Sequence, residues 1–206
     1  MTATKSCGNI RTPSDYRENM SNLMLLDNKK IDIEFSTHSE VPQNFLPELN
    51  IYSRSARFAL KTLISGHSTV DLDIHNHTHL VSDKNVLVSL SHTKKVACAA
   101  KASAKDFSGI GIDIENRSRA IKPGIEKFFI NDHDEVDDKL LLWSTKEAIF
   151  KAISPFYKSE KTLVLKDITI HKDLSYSCFE FHGQSNFDYF KIGDSEYLVS
   201  VCALIN

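Results

Sequence analysis

The sequence predicts an α+β fold with one long helix in each half of the chain. Two segments carry apolar residues at intervals of three and four, which is typical of amphipathic helices, and several short segments alternate apolar and polar residues as strands do. Helices and strands do not alternate regularly, so the pattern favours an α+β fold over a βαβ array. The sequence also lacks the repeats of about 20–50 residues that build solenoids.

In the first half, the clearest predicted element is a helix over residues 48–64. Residues 1–22 are polar and are expected to dock loosely, and residues 67–85 are too polar to assign to an element. Strands are predicted at residues 24–33, 34–39, 86–91 and 96–102.

In the second half, residues 110–115 alternate so regularly that they predict a strand with its isoleucines on one face. The opposite face of this strand carries Asp113 and Glu115. A second long helix is predicted over residues 135–153. Further strands are predicted at residues 162–170, 176–182, 187–192 and 197–205.

Length and composition are those of an ordinary globular protein. The chain has 206 residues, of which 41% are hydrophobic and 25% charged, and these values argue against disorder, collagen and coiled coil. Its 25 Lys and Arg nearly balance its 27 Asp and Glu, giving a formal net charge of −2. A nearly neutral surface has no general attraction for nucleic acid or for an anionic membrane. We therefore expect any phosphate ligand to be bound by a local group of cations.

Targeting and cysteine features predict a cytoplasmic protein. The N-terminal segment lacks the apolar run of a secretory signal, and no segment reaches the roughly 18 apolar residues that span a bilayer. The cysteines form no CxxC pair, which argues against a disulfide framework or a cysteine zinc site. We expect free thiols at all four positions, Cys7, Cys98, Cys178 and Cys202.

Three segments carry side chains with chemical potential. Asp113 and Glu115 project from the same side of one strand, a pattern that fits either solvated acids or a site for a divalent cation such as Mg²⁺. Glu147 and Lys151 lie one turn apart on the second helix, where an ordinary surface ion pair is the simplest alternative. The strand at residues 86–91 ends in hydroxyls and an imidazole, which fit either a polar turn or donors for a phosphate oxygen. Together the three segments favour phosphoryl transfer.

These segments resemble the signature motifs of the phosphopantetheinyl transferases. Residues 111–115, Gly-Ile-Asp-Ile-Glu, match the family pattern G-[IV]-D-[IVL]-E, and residues 143–151 match W-[ST]-x-K-E-[AS]-x-x-K. Residues 89–93, Ser-Leu-Ser-His-Thr, are similar to the family's S-[IL]-S-H-[ST] segment. The length is similar to that of the larger single-chain type, which serves peptide-synthetase, siderophore and polyketide carrier proteins.

The resemblance implies an enzyme with holo-acyl-carrier-protein synthase activity. Such enzymes move the 4′-phosphopantetheine group of coenzyme A to a serine of an apo acyl, peptidyl or aryl carrier protein and release adenosine 3′,5′-bisphosphate, with Mg²⁺ as the cofactor. The resemblance also implies two similar α+β halves, residues 1–105 and 106–206, related by a pseudo-twofold axis with coenzyme A in the cleft between them. Because one chain would then form the whole cleft, we expect a monomer.

Roles for individual residues also follow from the resemblance. Asp113, Glu115 and Glu147 match the acids that bind Mg²⁺, and Glu147 is also the candidate base for the carrier serine. Lys151 matches the lysine that contacts the pyrophosphate and assists the leaving phosphate, and Lys146 matches a lysine near the phosphates. The remaining coenzyme ligands that it implies are Ser91 and His92 at the 3′-phosphate, and Arg57 on the first helix.

One region departs from the family pattern. Residues 73–80 lack the proline and lysine that larger members carry before the Ser-His segment, so the resemblance assigns no adenine contacts there. Instead, alternating histidines fit either a metal site or a solvated loop, and the loop is the simpler interpretation. These histidines are His75, His77 and His79. The aromatic pair at residues 128–129 fits either the core or a docking patch for the carrier protein.

Two other functions stay open on the residues alone. A Mg²⁺-dependent phosphodiesterase would use the same acids but would hydrolyse its substrate without any carrier protein. A non-catalytic module would bind coenzyme A without transferring its arm, although a complete set of acids and lysine argues against this. The near-neutral charge argues against nucleic acid as the substrate.

Overall fold

The computed structural model describes residues 22–64, 72–75 and 78–205. It contains two antiparallel sheets and two long helices, which confirms the predicted α+β class. Cys7 and His77, together with the loose docking predicted for residues 1–21, lie outside the described residues. Within the described part of the chain, no helix is both long and apolar enough to cross a membrane.

The first sheet has six strands in the order β1-β2-β6-β5-β4-β3. These strands are β1 (Asn22–Leu26), β2 (Lys29–Thr37), β3 (Ile74–His75), β4 (His79–Leu80), β5 (Val86–His92) and β6 (Val96–Ser103). Helix α1 (Ile51–Ile64) packs against β2, β5 and β6. The predicted break between residues 33 and 34 is wrong, because the chain turns earlier, at Asp27 and Asn28. Both residues have positive φ, 48° and 61°, a conformation that Asp and Asn tolerate in tight hairpins.

The second sheet has five strands in the order β7-β11-β10-β9-β8. These are β7 (Phe107–Asn116), β8 (Thr169–Ile170), β9 (Ser175–Cys178), β10 (Phe181–Ile192) and β11 (Ser195–Ile205). Helix α2 (Lys139–Ile153) packs across β7 and β11.

The two sheets share one strand order. In each, the strand that precedes the long helix pairs antiparallel with the last strand of that sheet, β2 with β6 and β7 with β11. From there the order runs backwards along the chain, through β5, β4 and β3 in one sheet and through β10, β9 and β8 in the other.

Several predicted boundaries in the second half are wrong for local reasons. The strand predicted at residues 162–170 is shortened to β8, because Leu165–Asp167 forms a 3₁₀ helix. Helix α2 starts four residues later than predicted, because the Asp138 carboxylate caps it by accepting from the backbone N–H groups of Leu140 and Leu141. The strand predicted at residues 176–182 is interrupted by a turn in which Phe179 has a φ of 53°, so it becomes the β9–β10 hairpin.

The core is divided by the two sheets into three clusters. The largest lies between the sheets, where the inward faces of β2 and β6 meet Ile110, Ile112 and Ile114 of β7. A second cluster lies between α2 and the outer face of the second sheet, and a third lies between α1 and the outer face of the first. Because side chains alternate along a strand, the residues between the isoleucines of β7 face α2.

Candidate functional site

The candidate site lies where helix α2 crosses strand β7. Gly111 permits this crossing, because a Cβ atom at that position would lie 1.9 Å from the carbonyl oxygen of Ala148. At this short separation Lys151 reaches the strand, and its Nζ donates to Asp113 Oδ1 and to the carbonyl oxygen of Ile112, both at 2.9 Å. Helix and strand thus place an ammonium directly beside a carboxylate.

Strand β5 of the first sheet adds Ser91 to the cluster that Asp113 and Lys151 form. Ser91 Oγ donates to Asp113 Oδ1 at 2.8 Å and accepts from Lys151 Nζ at 3.0 Å. Ser89, on the same face of β5, accepts from the backbone N–H of Ile112 at 3.1 Å. These bonds fasten β5 to β7, so residues from both sheets build the site.

Asp113 has one oxygen with two donors and one with none. Oδ1 accepts from Ser91 and Lys151, whereas Oδ2 is buried and has no hydrogen-bond partner among the residues that the structure describes. The side chain as a whole is 8% exposed. A buried polar atom without a partner costs about 1–3 kcal/mol, and more when it is charged. This oxygen is therefore a position at which a bound group would be stabilised.

Glu115 is held by two partners, one of which lies in the N-terminal half of α2. Its Oε1 accepts from Trp143 Nε1 at 3.0 Å and is ion-paired with Arg119. The Arg119 guanidinium also lies 5.4 Å from the centroid of the Trp143 ring, so the tryptophan is covered on one side by a cation. Sequence reasoning did not single out Arg119, because a spacing of four residues brings side chains together on a helix, whereas Glu115 lies on a strand.

Burial and charge set the ionisation of the cluster. Burial raises the pKa of Glu147, and the nearby charge of Asp113 raises it further. Burial also raises the pKa of Glu115, while the hydrogen bond from Arg119 opposes that rise. Burial alone would lower the pKa of Lys151, but Asp113 and Glu147 outweigh it and raise that pKa above its ordinary value. Lys151 is therefore a cation at neutral pH, and the two glutamates accept protons more readily than usual.

The acids offer the oxygen ligands that a hard cation prefers, but they do not form a complete coordination site by themselves. Across residues 22–64, 72–75 and 78–205, no three His, Cys, Asp or Glu side chains are gathered so as to hold a metal ion. Asp113 is nevertheless close enough to raise the pKa of both Glu115 and Glu147, and it offers an unpaired oxygen. Carboxylate oxygens suit Mg²⁺, which usually takes only one or two carboxylates and completes its shell with water and substrate phosphates.

His92 lies next to this cluster but faces the other way. It follows Ser91 on β5, and neighbouring side chains on a strand project to opposite sides. The ring of His92 stacks on Tyr52 of α1, with 5.1 Å between centroids and 21° between planes. Burial lowers the pKa of His92, and the charge of Lys151 lowers it further, so the imidazole still senses the cluster.

Two of the residues predicted from the resemblance lie apart from the acids. Lys146 is fully buried, and its Nζ donates to Asp134 Oδ2 and to the carbonyl oxygen of Phe129, both at 2.6 Å. In this position it fastens the loop before α2 to the helix. Arg57 is half-buried on α1 and has no ion pair with any described residue.

The aromatic pair at residues 128–129 and the histidines of β3 and β4 lie in other parts of the structure. Phe129 is completely buried, whereas Phe128 is exposed beside the ammonium of Lys127. His75 and His79 face each other across the β3–β4 pair, and Thr78 Oγ1 lies 2.8 Å from Nδ1 of His79.

Comparison with known families identifies the segment that contains the acids. Residues 109–202, which run from β7 through α2 into β11, match the family model of the 4′-phosphopantetheinyl transferase superfamily. Over this segment the chain is similar to that superfamily. The resemblance of its motifs to that superfamily is thereby confirmed, and the match supports a phosphopantetheinyl transferase function in general. A search of curated proteins finds no match to the chain.

Proposed function

We propose that the protein transfers the 4′-phosphopantetheine group of coenzyme A to a serine of an apo acyl or peptidyl carrier protein and releases adenosine 3′,5′-bisphosphate. The observation that carries the proposal is the convergence of Asp113, Glu147 and Lys151 at the crossing of β7 and α2, inside the segment that matches the superfamily. The larger single-chain type is part of the same proposal.

Lys151 supplies the positive charge for the pyrophosphate. Asp113 and Glu147 raise its pKa, so it stays protonated at the pH at which transfer occurs. Its Nζ donates to Asp113, to Ser91 and to the carbonyl oxygen of Ile112, so a phosphate oxygen would replace one of these acceptors. A fixed cation at this position stabilises the charge that develops on the leaving phosphate, because the ammonium needs no reorganisation during the reaction.

Glu147 is the proposed base for the carrier serine. Burial and the charge of Asp113 raise its pKa, which brings that pKa closer to the pH at which the enzyme would operate, where a general base works best. It lies one helical turn from Lys151, so base and cation project from the same side of α2. An incoming serine would meet the base on the side where the phosphate is held.

Asp113, Glu115 and Glu147 would hold Mg²⁺, and the ion would supply further neutralisation of the pyrophosphate. In the structure, Lys151 occupies one oxygen of Asp113, and Arg119 and Trp143 occupy one oxygen of Glu115. Asp113 Oδ2 remains as the ready donor. The protein thus pairs Asp113 and Glu115 with cationic side chains and leaves Asp113 Oδ2 for the ion.

The shared strand order supports two halves related by a pseudo-twofold axis, residues 1–105 and 106–206, with the coenzyme between them. Ser91 of the first half donates to Asp113 of β7, and Ser89 accepts from the backbone N–H of Ile112, which supports a junction of the halves at the site. In this arrangement His92 faces the 3′-phosphate of the coenzyme. Since one chain supplies both halves, the proposed active form is a monomer in the cytoplasm.

Mass spectrometry of a carrier protein tests the proposal. Apo-carrier is incubated with protein, coenzyme A and Mg²⁺, and the expected product is a carrier heavier by one phosphopantetheine group, with stoichiometric adenosine 3′,5′-bisphosphate. Released nucleotide with an unmodified carrier would favour the Mg²⁺-dependent phosphodiesterase instead. Binding of coenzyme A without either product would leave a non-catalytic binding module.

A further inference from the structure

Three aromatic side chains form a row beside the candidate site. Tyr52, in the first turn of α1, stacks on His92 of β5 with 5.1 Å between ring centroids. On its other side the Tyr52 ring meets the edge of His38, with 5.2 Å between centroids and 71° between planes. The row therefore runs from the end of β2 across α1 to the end of β5.

The backbone of His38, at one end of the row, is tied to the first sheet. The backbone N–H of His38 donates to the carbonyl oxygen of Lys95 at 3.2 Å, which ties it to the β5–β6 hairpin. Its Nε2 atom is buried and has no hydrogen-bond partner within the described residues. Tyr52 therefore packs against a residue whose backbone is tied to the β5–β6 hairpin.

His92, at the other end of the row, is exposed and lies beside charged residues. His92 is exposed, so its ring would be free to rotate if nothing packed against it. Stacking on Tyr52 removes that freedom and points the ring in one direction. Its neighbour Ser91 bonds Lys151 and Asp113, so the ring is held one residue away from the proposed pyrophosphate site.

We propose that Tyr52, supported by His38, is a positioning residue that fixes the His92 imidazole for the terminal phosphate monoester of the coenzyme. This inference rests on the proposed function, in which His92 faces the 3′-phosphate. Fixing a donor before the ligand arrives removes part of the ordering cost of binding, so the stack adds affinity without touching the ligand. The gain applies only to a ligand that carries the phosphate monoester, which makes the stack a determinant of selectivity.

Calorimetric binding of two coenzymes tests the stack. The ratio of dissociation constants for 3′-dephospho-coenzyme A and coenzyme A reports the contribution of the 3′-phosphate alone. We expect Tyr52→Leu to lower this ratio about fivefold, since an aromatic stack contributes on that order. Tyr52→Phe keeps the stack and should keep the ratio.

Phe58 provides the matched control. It lies on the same helix and also forms an aromatic pair, with Phe45 at 5.4 Å, but it takes no part in the row. Phe58→Leu should therefore leave the ratio unchanged. In a protein that already carries His92→Ala, adding Tyr52→Leu should have no further effect, because the ring that Tyr52 positions is gone.

Several results would overturn the inference. An equal loss of affinity for both coenzymes in Tyr52→Leu would show a general structural role, and an effect that persists with His92→Ala would show that Tyr52 acts elsewhere. Failure of the unaltered protein to prefer coenzyme A over its dephospho form would also contradict it. These outcomes are separate from a failure of the proposed function, which is absence of carrier modification, because binding is measured without a carrier.

Discussion

Helix α2 carries two lysine–aspartate pairs that look alike and differ in exposure. Lys146 and Lys151 are five residues apart, and each donates to one aspartate and to one backbone carbonyl oxygen. The Lys146 and Asp134 side chains are 0% and 3% exposed, whereas those of Lys151 and Asp113 are 28% and 8% exposed. One pair is sealed in the protein, and the other is open on one side.

The hydrogen bonds of the two aspartates explain the difference. Both oxygens of Asp134 are used, Oδ2 by Lys146 and the backbone N–H of Asn131, and Oδ1 by the backbone N–H of Ile170. Among the described residues, Asp113 Oδ2 has no partner. A saturated network holds a structure together, while an unsaturated one beside solvent leaves room for a ligand.

The charges around the lysines differ as well. Burial lowers the pKa of Lys146 despite Asp134. Around Lys151, the carboxylates of Asp113 and Glu147 outweigh burial and raise the pKa. An excess of negative charge around Lys151 is what a site requires if it is to accept a cation together with a phosphate. We therefore infer that the Lys146 pair is structural and that the Lys151 pair is functional.

The largest expected effect is the loss of transfer in Lys151→Met. Removing the cation leaves developing phosphate charge without its partner, so the transfer rate should fall about 1000-fold. Steady-state rates at saturating coenzyme A measure this. Lys139→Met is the control, since Lys139 is an exposed lysine of the same helix paired with Glu126. Equal losses in the two variants would contradict a special role for Lys151.

The next effect concerns stability. Lys146→Met leaves the Asp134 carboxylate buried without its cation, which should lower the free energy of unfolding by about 3–5 kcal/mol. Urea denaturation measures it. The same control, Lys139→Met, breaks only an exposed ion pair and should cost less than about 1 kcal/mol. A loss below that value for Lys146→Met would show that this pair is not structural.

A smaller loss is expected at the helix crossing. Gly111→Ala introduces a Cβ atom that would meet the carbonyl oxygen of Ala148 at 1.9 Å and the N atom of Ala152 at 2.8 Å, so α2 must move away from β7. Overpacking of this kind costs about 1–3 kcal/mol, and here it also separates Lys151 from Asp113.

In Gly111→Ala, urea denaturation measures the free energy of unfolding, and the turnover rate reports the effect on the site. Gly193→Asn is the control, because Gly193 lies in the β10–β11 turn with φ of 58° and has open space around it. Asn tolerates that conformation. Retention of full turnover by Gly111→Ala would show that the close crossing is not needed for the site.

The smallest expected effect is a shift in the pKa values of Glu115 and Glu147. Burial raises the pKa values of Glu115 and Glu147, and Arg119 opposes that rise at both carboxylates. In Arg119→Gln both pKa values should rise, so both carboxylates should become protonated at a higher pH. Carboxyl carbon-13 titration of the metal-free protein measures this directly. Arg117→Gln, which removes an exposed partner of Glu196, should leave both titrations in place. Unchanged midpoints in Arg119→Gln would contradict the charge balance described above.

The sequence predicts those features that depend on local period. The alternation of residues 110–115 predicts a strand with Asp113 and Glu115 on one face, and the structure has both facing α2. The one-turn spacing of Glu147 and Lys151 predicts their common side of the helix. The motifs themselves pointed to the superfamily that the comparison confirms.

Partners distant along the chain could not be predicted in this way. Periodicity says which residues share a face but not what lies opposite, so the pairing of Lys146 with Asp134 in an irregular loop has no signal in the spacing. The stack of Tyr52 on His92 joins elements 40 residues apart for the same reason. The left-handed turn at Phe179 is missed because an aromatic residue rarely adopts that conformation.

Glu147→Gln gives the most direct test of the central claim. The substitution keeps the size of the side chain and removes only its ability to ionise. Transfer of phosphopantetheine from coenzyme A to an apo-carrier is followed by mass spectrometry, beside a urea denaturation curve of the same variant. The account predicts a carrier of unchanged mass and an unfolding free energy no lower than that of the unaltered protein. A carrier modified at nearly the original rate would contradict it.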